Sequence, residues 1–489
     1  MKKIAIILTK QELEYEVHGL MTSFFPGVEI VTRQGAETDG FLKVDTDSSE
    51  LTIEIDYENI RKKASFPMPK VQNEFDKAEF GRIFYDFLSD LLDKKLPWGN
   101  LTGIRPTKLI RTMLEEEAEA SGKSTEDESV KEKVRQRAFE ERRLEGDKLE
   151  QGIEIANRES EIIKSLHTEN GYSVYVGIPF CPSTCLYCSF TSNPVFKYKK
   201  VMKEYLDSVK KELLWTKEGM KGKILDTVYI GGGTPTTLEP EELDELLKNI
   251  TTILPWDNVR EFTVEAGRAD SITREKLEVL KKYPVTRISV NPQTMSDKTL
   301  KLIGRNHTVG DVVEKFNMAR ELGFDNINMD IILGLPGETT DDVKHTIDEI
   351  VKLKPDSLTV HSLAIKRASK LKKWMDENEM TITMDYEKAM DISFAGAESM
   401  DLKPYYLYRQ KQMAGNMENT GFAAEGKYGL YNILIMEEVQ SIVALGAGSV
   451  SKRVYPDGRI ERCDNIKDVD LYLSKIGEML ERKSTLFAD

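Results

Sequence analysis

Cys181, Cys185 and Cys188 fall within eight residues, in the run Tyr175-Val176-Gly177-Ile178-Pro179-Phe180-Cys181-Pro182-Ser183-Thr184-Cys185-Leu186-Tyr187-Cys188. Spacings of three and then two residues let one loop wrap three thiolates around an iron–sulfur cubane. The fourth iron then has no protein ligand and is open to a small molecule. Electron-transfer ferredoxins differ in giving each cluster four cysteines. Two other readings compete. Buried cysteines can serve as small hydrophobes, although Pro182 and Ser183 behind a strand enforce a loop. Zinc usually takes four ligands, and would have to draw the fourth from Cys463 or a distant histidine. Four cysteines in 489 residues do not make a disulfide framework.

Three further groups of residues could serve the same chemistry. Gly231-Gly232-Gly233-Thr234-Pro235-Thr236 would let backbone amides approach a ligand closely. Glu265 ends a strand-like segment, Thr263-Val264-Glu265-Ala266, where a carboxylate can accept hydrogen bonds or merely face solvent. Asp330 interrupts Asn328-Met329-Asp330-Ile331-Ile332-Leu333, and an unpaired carboxylate inside a strand is costly, so it needs a partner or a ligand.

The elements that must position these residues are legible as an alternation. Short β-branched segments at 173–176, 227–230, 261–265, 287–290, 327–332 and 357–360 read as strands. Amphipathic stretches at 198–216, 239–253, 274–282, 309–322 and 339–353 read as helices between them. Six such units predict a parallel sheet with crossover helices, as a partial barrel or an open sheet. Upstream, 3–8 and 51–55 read as strands and 80–92 as a helix of a small α/β unit. A turn-rich connector at 97–106 leads into charged helices over 112–165, interrupted near 121–129. The division expected is therefore 1–95, a charged helical linker at 96–165, a core at 166–400, and a C-terminal element at 401–489.

Composition excludes several function classes. The chain carries 69 basic and 83 acidic residues, a net charge of −14, which is poorly suited to neutralising nucleic-acid phosphates. No apolar run approaches the roughly 20 residues of a membrane span. The apolar start at Ile4–Leu8 breaks at Thr9-Lys10-Gln11 with no cleavage site after it, so it reads as a strand and not a leader. A cytoplasmic protein is expected.

The cysteine loop, with an aromatic residue just before its last cysteine, resembles the signature of the radical S-adenosylmethionine (SAM) superfamily. Tyr-Val-x-Ile-Pro-Phe-Cys, Gly-Gly-Gly-Thr-Pro-Thr, the Thr-Val-Glu strand, Arg-Ile-Ser leading to Gln293, and Asp-x-Ile-x-Gly-Leu-Pro-Gly resemble the oxygen-independent coproporphyrinogen III oxidases within it. The N-terminal extension and His361-Ser362-Leu363-Ala364-Ile365-Lys366-Arg367 are similar to the clostridial and bacillar branch. The resemblance implies a partial (β/α)6 radical-SAM barrel, flanked by a small N-terminal α/β domain and an α-rich C-terminal element. It implies a 4Fe–4S cluster on Cys181, Cys185 and Cys188 and one SAM, with a second SAM site beside it. Tyr175, Tyr187, Gly232 and Glu265 match positions that contact the SAM on the cluster. Gly233, Thr234, Gln293, Arg305, Asp330 and Ala364 match positions of the second site. Departures are Phe190 and Gly177, where some oxidases carry a cysteine and a histidine, and Gly267-Arg268-Ala269, where a proline is usual. Haem-chaperone relatives share the Cys-x-Phe ending.

The implied reaction is oxidative decarboxylation of two propionates of coproporphyrinogen III to vinyls, giving protoporphyrinogen IX for haem synthesis. A haem chaperone and a tetrapyrrole methyltransferase or haem-opening enzyme are the alternatives. A low-potential donor such as flavodoxin or ferredoxin is the implied electron source. An anionic tetrapyrrole needs a basic lining, because unpaired buried carboxylates are costly. Lys366 and Arg367, with Lys370, follow the last strand; Arg409 adjoins Tyr405, Tyr406 and Tyr408. These residues are expected to clamp propionates while the tyrosines stack on pyrroles, the alternative being a solvated basic turn beside a core aromatic cluster. His18, His167 and His345 are expected in surface or packing roles, while His307 and His361 lie close enough to strand ends to line a pocket. Cys463 is expected to be a free thiol.

Overall fold

A computed structural model describes residues 2–32, 37–72, 74–101, 105–188, 192–365, 370–378, 384–409 and 417–488. The chain divides into two compact units, Met1–Asn157 with Leu407–Glu418, and Arg158–Tyr406 with Asn419–Asp489.

In the first unit, strands β1 (Lys3–Leu8), β2 (Glu29–Val31), β3 (Gly40–Asp45), β4 (Glu50–Tyr57) and β5 (Ile60–Pro67) form a sheet in the order β2-β1-β3-β4-β5. A two-stranded ribbon follows, β6 (Lys70–Val71) with β7 (Glu74–Phe75). Strand β4 alternates Leu51, Ile53, Ile55 and Tyr57 inward, the period-2 pattern of a half-buried strand. Helices Glu14–Phe24 and Lys77–Leu92 supply the rest of that core, including Phe80, Phe84 and Leu88. The charged stretch forms helices Pro106–Ser121, Glu128–Arg142 and Gly146–Lys164, the last running on into the second unit. Their apolar sides bury Ile110, Val130, Val134 and Ile153 around Trp98, and their charged faces are solvated.

The second unit is built on one sheet. Its first strand is β8 (Gly171–Ile178), followed by the short pair β9 (Phe180–Cys181) and β10 (Asn193–Pro194). Next come β11 (Ile224–Gly232), β12 (Glu261–Gly267), β13 (Arg287–Val290), β14 (Ile327–Leu333) and β15 (Ser357–Ser362). These six, β8 and β11 to β15, are parallel and adjacent in chain order, with helices Met202–Gly219, Pro240–Ile253, Arg274–Lys281, Val309–Glu321 and Thr340–Leu353 between them. The predicted six-unit α/β core is what forms. Thr308 and Thr339 start two of the helices with reciprocal capping boxes, which fixes where each loop ends.

The segment after residue 400 departs from the α-rich expectation. Besides helices Leu430–Glu437, Val469–Ser474 and Ile476–Leu486, it holds β16 (Lys403–Tyr408), β17 (Asn419–Ala423), β18 (Ser441–Leu445), β19 (Val450–Val454) and β20 (Ile460–Asp464). These extend the sheet at both edges, in the order β16-β17-β15-β14-β13-β12-β11-β8-β18-β19-β20. Strand β18 lies parallel to β8 as a seventh parallel strand. Its four apolar residues, Ile442 to Leu445, are buried on both faces and give no period to read, which is why this strand was not expected.

Register assigns the two faces of the sheet. Tyr175 lies opposite Tyr229, Tyr229 opposite Thr263, Thr263 opposite Arg287, and Glu265 opposite Ser289. Ser289 pairs with Asn328, Asp330 with Thr359, and Ile332 with His361. Because in-register neighbours point the same way, one face is lined by tyrosines, hydroxyls, carboxylates, Arg287 and His361. The other presents Val174, Val228, Val264, Ile288, Ile331 and Val360, all buried, to the helices.

Candidate active site

The cysteine loop leaves the end of β8 and is held from three sides. From β11, the amides of Gly233 and Thr234 donate to the carbonyls of Ile178 and Phe180 at 2.8 Å each. From the end of helix Asp297–Leu302, which follows β13, Ile303 accepts the amide of Leu186 at 2.9 Å and Gly304 accepts the hydroxyl of Ser183 at 3.0 Å. The third hold is Arg268, just beyond β12, whose guanidinium reaches the Ser183 carbonyl at 3.0 Å and the Cys185 Sγ at 3.3 Å. Cys181 and Cys185 are buried and Cys188 is half-buried.

Burial pushes the Cys181 thiol up to about 11, against the pull of the Thr234 hydroxyl, 3.5 Å from its sulfur, and of Arg268. The neighbouring charges of Cys185 and Cys188 act in the same upward sense, so the three thiols sit in one electrostatic neighbourhood. Among the described residues, no three His, Cys, Asp or Glu side chains converge as ligands of a single ion. A cubane needs no such convergence, since each thiolate takes a different iron. The thiols, the donor from Thr234 and the cation at Arg268 therefore fit an anionic iron–sulfur cubane.

Beside the loop lies the polar face of the sheet. The Tyr229 hydroxyl donates to Glu265 Oε1 at 2.5 Å, and the Gly232 amide also donates to this carboxylate. Burial raises the Glu265 acid to about 7, with the nearby Asp330 charge adding to the rise. A side chain at Gly231 would put its Cβ 2.9 Å from the Glu265 carboxyl, so the glycine is what allows that approach. Asp330 has the partner its strand position demands: Asn328 Nδ2 donates to Oδ1 at 2.6 Å, and His361 Nε2 stands 3.9 Å from Oδ2. Burial pushes Asp330 up, but His361, Asn328 and Arg287 outweigh it and hold the carboxyl below the ordinary aspartate range.

The exit of β13 is where the site is least self-satisfied. Gln293 has a left-handed φ of 66° and bridges to Ile331, its amide donating to the Asp330 carbonyl and its carbonyl accepting from Ile332. Its side-chain Oε1, Ser289 Oγ, Asn291 Oδ1 and Arg305 Nε are buried without a hydrogen-bond partner among the described residues. Buried polar atoms are nearly always paired, so this group fits a polar ligand. Arg305 is otherwise fixed, donating to the Asn291 carbonyl at 2.6 Å and to the Tyr187 hydroxyl at 3.1 Å. Ala364 follows β15 at the same end of the sheet, half-buried.

The chain is similar to known proteins over this region and beyond. Residues 175–350 match the model of the radical SAM superfamily. The oxygen-independent coproporphyrinogen-III oxidase-like protein HemZ of Bacillus subtilis is 39% identical over 391 residues, which cover 79% of this chain and 76% of that one. The chain belongs to the oxygen-independent coproporphyrinogen III oxidase-like family of radical SAM proteins. The heme chaperone HemW of Bacillus subtilis is 40% identical over 195 residues, 40% of this chain and 51% of that protein. The structure of coproporphyrinogen III oxidase HemN from Escherichia coli, a radical SAM enzyme, shares the fold at a TM-score of 0.52. That likeness covers 66% of this chain and 72% of the other, at 19% identity. A 4Fe–4S cluster and SAM are the cofactors of the radical SAM superfamily.

In this family member, Tyr175, Tyr187, Gly232, Gly233, Thr234, Glu265, Gln293, Arg305 and Asp330 surround the cysteine loop and the polar face, as described. The expected substrate residues fare differently. Lys366 and Arg367 lie outside the described residues. Arg409 belongs to the first unit, where its buried guanidinium donates to the Leu101 carbonyl at 2.6 Å. Tyr405 and Tyr406 are 0% and 4% exposed, their rings 4.8 Å apart, so they form the core aromatic cluster and not an open stacking platform. His361 lines the polar face as anticipated, whereas His307 is buried 3.7 Å from Asp270.

Tyr229 and Tyr431 were not singled out from sequence, and Arg268 only as part of a departure from the family pattern. The first had a signal, the alternation Thr227, Tyr229, Gly231 along β11. Tyr431 comes from the start of helix Leu430–Glu437, whose first amides donate to Glu261, and stacks 4.6 Å from the Tyr229 ring.

Among the described residues, no helix is long and apolar enough to cross a membrane.

Proposed function

We propose that this protein is a radical SAM oxidative decarboxylase acting on coproporphyrinogen III or a closely related propionate-bearing tetrapyrrole. The observation that carries the reading is the group of unpartnered buried polar atoms at Ser289, Asn291, Gln293 and Arg305, flanking a thiol loop fit for a cubane. The run of identity with the oxidase-like relative through 79% of the chain adds support.

Cys181, Cys185 and Cys188 hold the cluster in this reading, and Tyr175, Tyr187, Gly232 and Glu265 hold the SAM on it. When bound, these cofactors supply one-electron cleavage and hydrogen abstraction. The glycine triplet offers amides at the end of β11, close to Glu265. Glu265, poised near neutrality, accepts hydrogen bonds from ligand hydroxyl or amine groups. Thr234, Gln293, Arg305, Asp330 and Ala364 position the second polar ligand, with Arg305 locked by Tyr187 and Asn291. Lys366 and Arg367 pair with propionates. Each propionate loses one hydrogen atom, CO2 and one further electron to an acceptor as its two methylene carbons become a vinyl group. A low-potential flavodoxin or ferredoxin delivers the electron that starts each cycle.

The test is anaerobic incubation of the iron-loaded protein with SAM, dithionite and coproporphyrinogen III. Divinyl product with two CO2 per porphyrinogen is the expected result. Stoichiometric haem binding without CO2 would overturn it in favour of a chaperone, the reading favoured by the 40% identity with HemW over 195 residues. Methylated or ring-opened product would overturn it in favour of another tetrapyrrole enzyme.

A further inference from the structure

Gly267-Arg268-Ala269-Asp270 forms the turn after β12, and its arginine is almost wholly enclosed, the side chain being 4% exposed. Arg268 Nε and Nη2 grip the Asp270 carboxylate in a two-point fork at 2.9 and 2.7 Å. Nη2 also donates to the Ser183 hydroxyl at 3.0 Å. Nη1 divides between the Ser183 carbonyl at 3.0 Å and the Cys185 Sγ at 3.3 Å. His307 Nδ1 completes the surroundings, 3.7 Å from Asp270.

A strut for the loop would need only the contacts to Ser183. The fork with Asp270 does something more: a planar guanidinium held at two points cannot rotate, so its third edge is aimed permanently at the sulfur. Burial of a guanidinium is costly, and its placement here brings a cation to within hydrogen-bond distance of one of three clustered thiols. Where thiolates carry an iron–sulfur cluster, hydrogen bonds to sulfur and local positive charge favour the reduced, more negative state. At low dielectric that influence is large for a group in contact. Asp270 tempers it, leaving a directed donor and a partial charge instead of a full one.

We propose that Arg268 is a positioning residue that sets the potential of the cluster, raising it through its N–H···S bond to Cys185, with Asp270 fixing its orientation. The inference rests on Cys181, Cys185 and Cys188 being the cluster ligands. The electron that enters the oxidised cluster is stabilised by this guanidinium, so reduction by a given donor goes further than it would without it.

Redox titration of the anaerobically reconstituted full chain, followed by the EPR signal of the reduced cluster, tests this on Arg268→Gln and Arg268→Lys. At the poise where the unaltered protein is half reduced, Arg268→Gln should lower the reduced-to-oxidised ratio about tenfold, equivalent to about 59 mV for a one-electron couple. Arg268→Lys keeps the charge but loses the fork, and should shift the same way by less. Potentials equal to that of the unaltered protein, in variants of full iron content, would overturn the proposal. So would loss of iron from both variants with the circular dichroism unchanged, since that makes Arg268 a strut. Absence of iron and sulfide in the unaltered protein, or their full retention in Cys185→Ser, would instead overturn the ligand assignment.

Discussion

The Tyr229 hydroxyl and the Glu265 carboxylate, on neighbouring parallel strands, meet at 2.5 Å on the polar face of the sheet beside the glycine triplet. The phenol stays protonated, because burial raises it well above its ordinary value and Glu265 raises it further. It therefore acts as a fixed donor to the carboxylate. Tyr229→Phe removes that donor and leaves the charge less stabilised, so the Glu265 acid moves above about 7. The expected rise is roughly one to two pH units, since a hydrogen bond to a charged group is worth about 1.5–3 kcal/mol and one unit is 1.36 kcal/mol. Calorimetric SAM affinities across pH 6–9 should show the ionisation midpoint move upward in the variant. A midpoint that stays put means the ionised Glu265 does not govern SAM binding.

The same raised acid makes a stability prediction. A carboxyl that titrates near 4.5 unfolded and about 7 folded keeps its proton more tightly when folded. The folded state is thus favoured by protonated Glu265 at low pH, and that contribution is lost as pH rises through 7. Glu265→Gln cannot ionise, so its stability relative to the unaltered protein should climb between about pH 4.5 and 7 and level off above. At pH 8 the gain should be on the order of 3 kcal/mol. Urea unfolding of the cluster-free protein at pH 5 and pH 8 checks it; equal differences at the two pH values would contradict the linkage.

What the sequence carried and what it hid follow from how each residue is held. The six core strands and their helices were legible because both periods were present and each unit is local. The cysteine loop and the glycine triplet were legible because their spacing is their function. Arg268 was visible only as a departure from a family pattern, since nothing local announces that a turn after β12 will reach a loop after β8, more than 80 residues earlier. Tyr431 was hidden for the same reason: it is placed by Glu261 capping a helix far along the chain. Strand β18 was missed because both its faces are buried, which erases the alternation.

The cradle of the cysteine loop should be intolerant of one methyl group. A Cβ at Gly233 would stand 2.6 and 2.7 Å from the carbonyl oxygens of Phe180 and Ile178 and 2.8 Å from the Phe180 amide. All three are backbone atoms, so relief requires the loop to move away from β11. Gly233→Ala should cost about 1–3 kcal/mol by overpacking and break the hydrogen bond that the Gly233 amide donates to the Ile178 carbonyl. Iron bound per chain after reconstitution should fall with stability. Gly477→Ala, another single methyl but with no atom within 4 Å of its Cβ and no left-handed φ, should keep full iron. Full iron in Gly233→Ala, at unchanged stability, would show that the cradle is soft.

The second unit is closed at its C-terminal end by a buried ion pair whose partners are far apart in sequence. Glu212, in helix Met202–Gly219, accepts from Lys483 Nζ at 2.7 Å, Asn465 Nδ2 at 2.8 Å, the Gly446 amide at 2.7 Å and the Tyr472 hydroxyl at 2.5 Å. Both charged side chains are 1% exposed or less. The carboxylate thereby gathers the turn after β18, the segment after β20 and the last helix onto the helix that follows the cysteine loop. Lys483→Met removes the only cation in this set and leaves a buried anion with neutral donors, a change that typically costs about 3–5 kcal/mol. Glu212→Gln combined with Lys483→Met removes both charges and should recover most of that loss, because the pair's attraction mainly offsets its own desolvation. Urea denaturation of the two variants against the unaltered chain gives both numbers. A single variant no weaker than the double one would mean that solvent reaches Glu212 and that the pair does not hold the C-terminal helix.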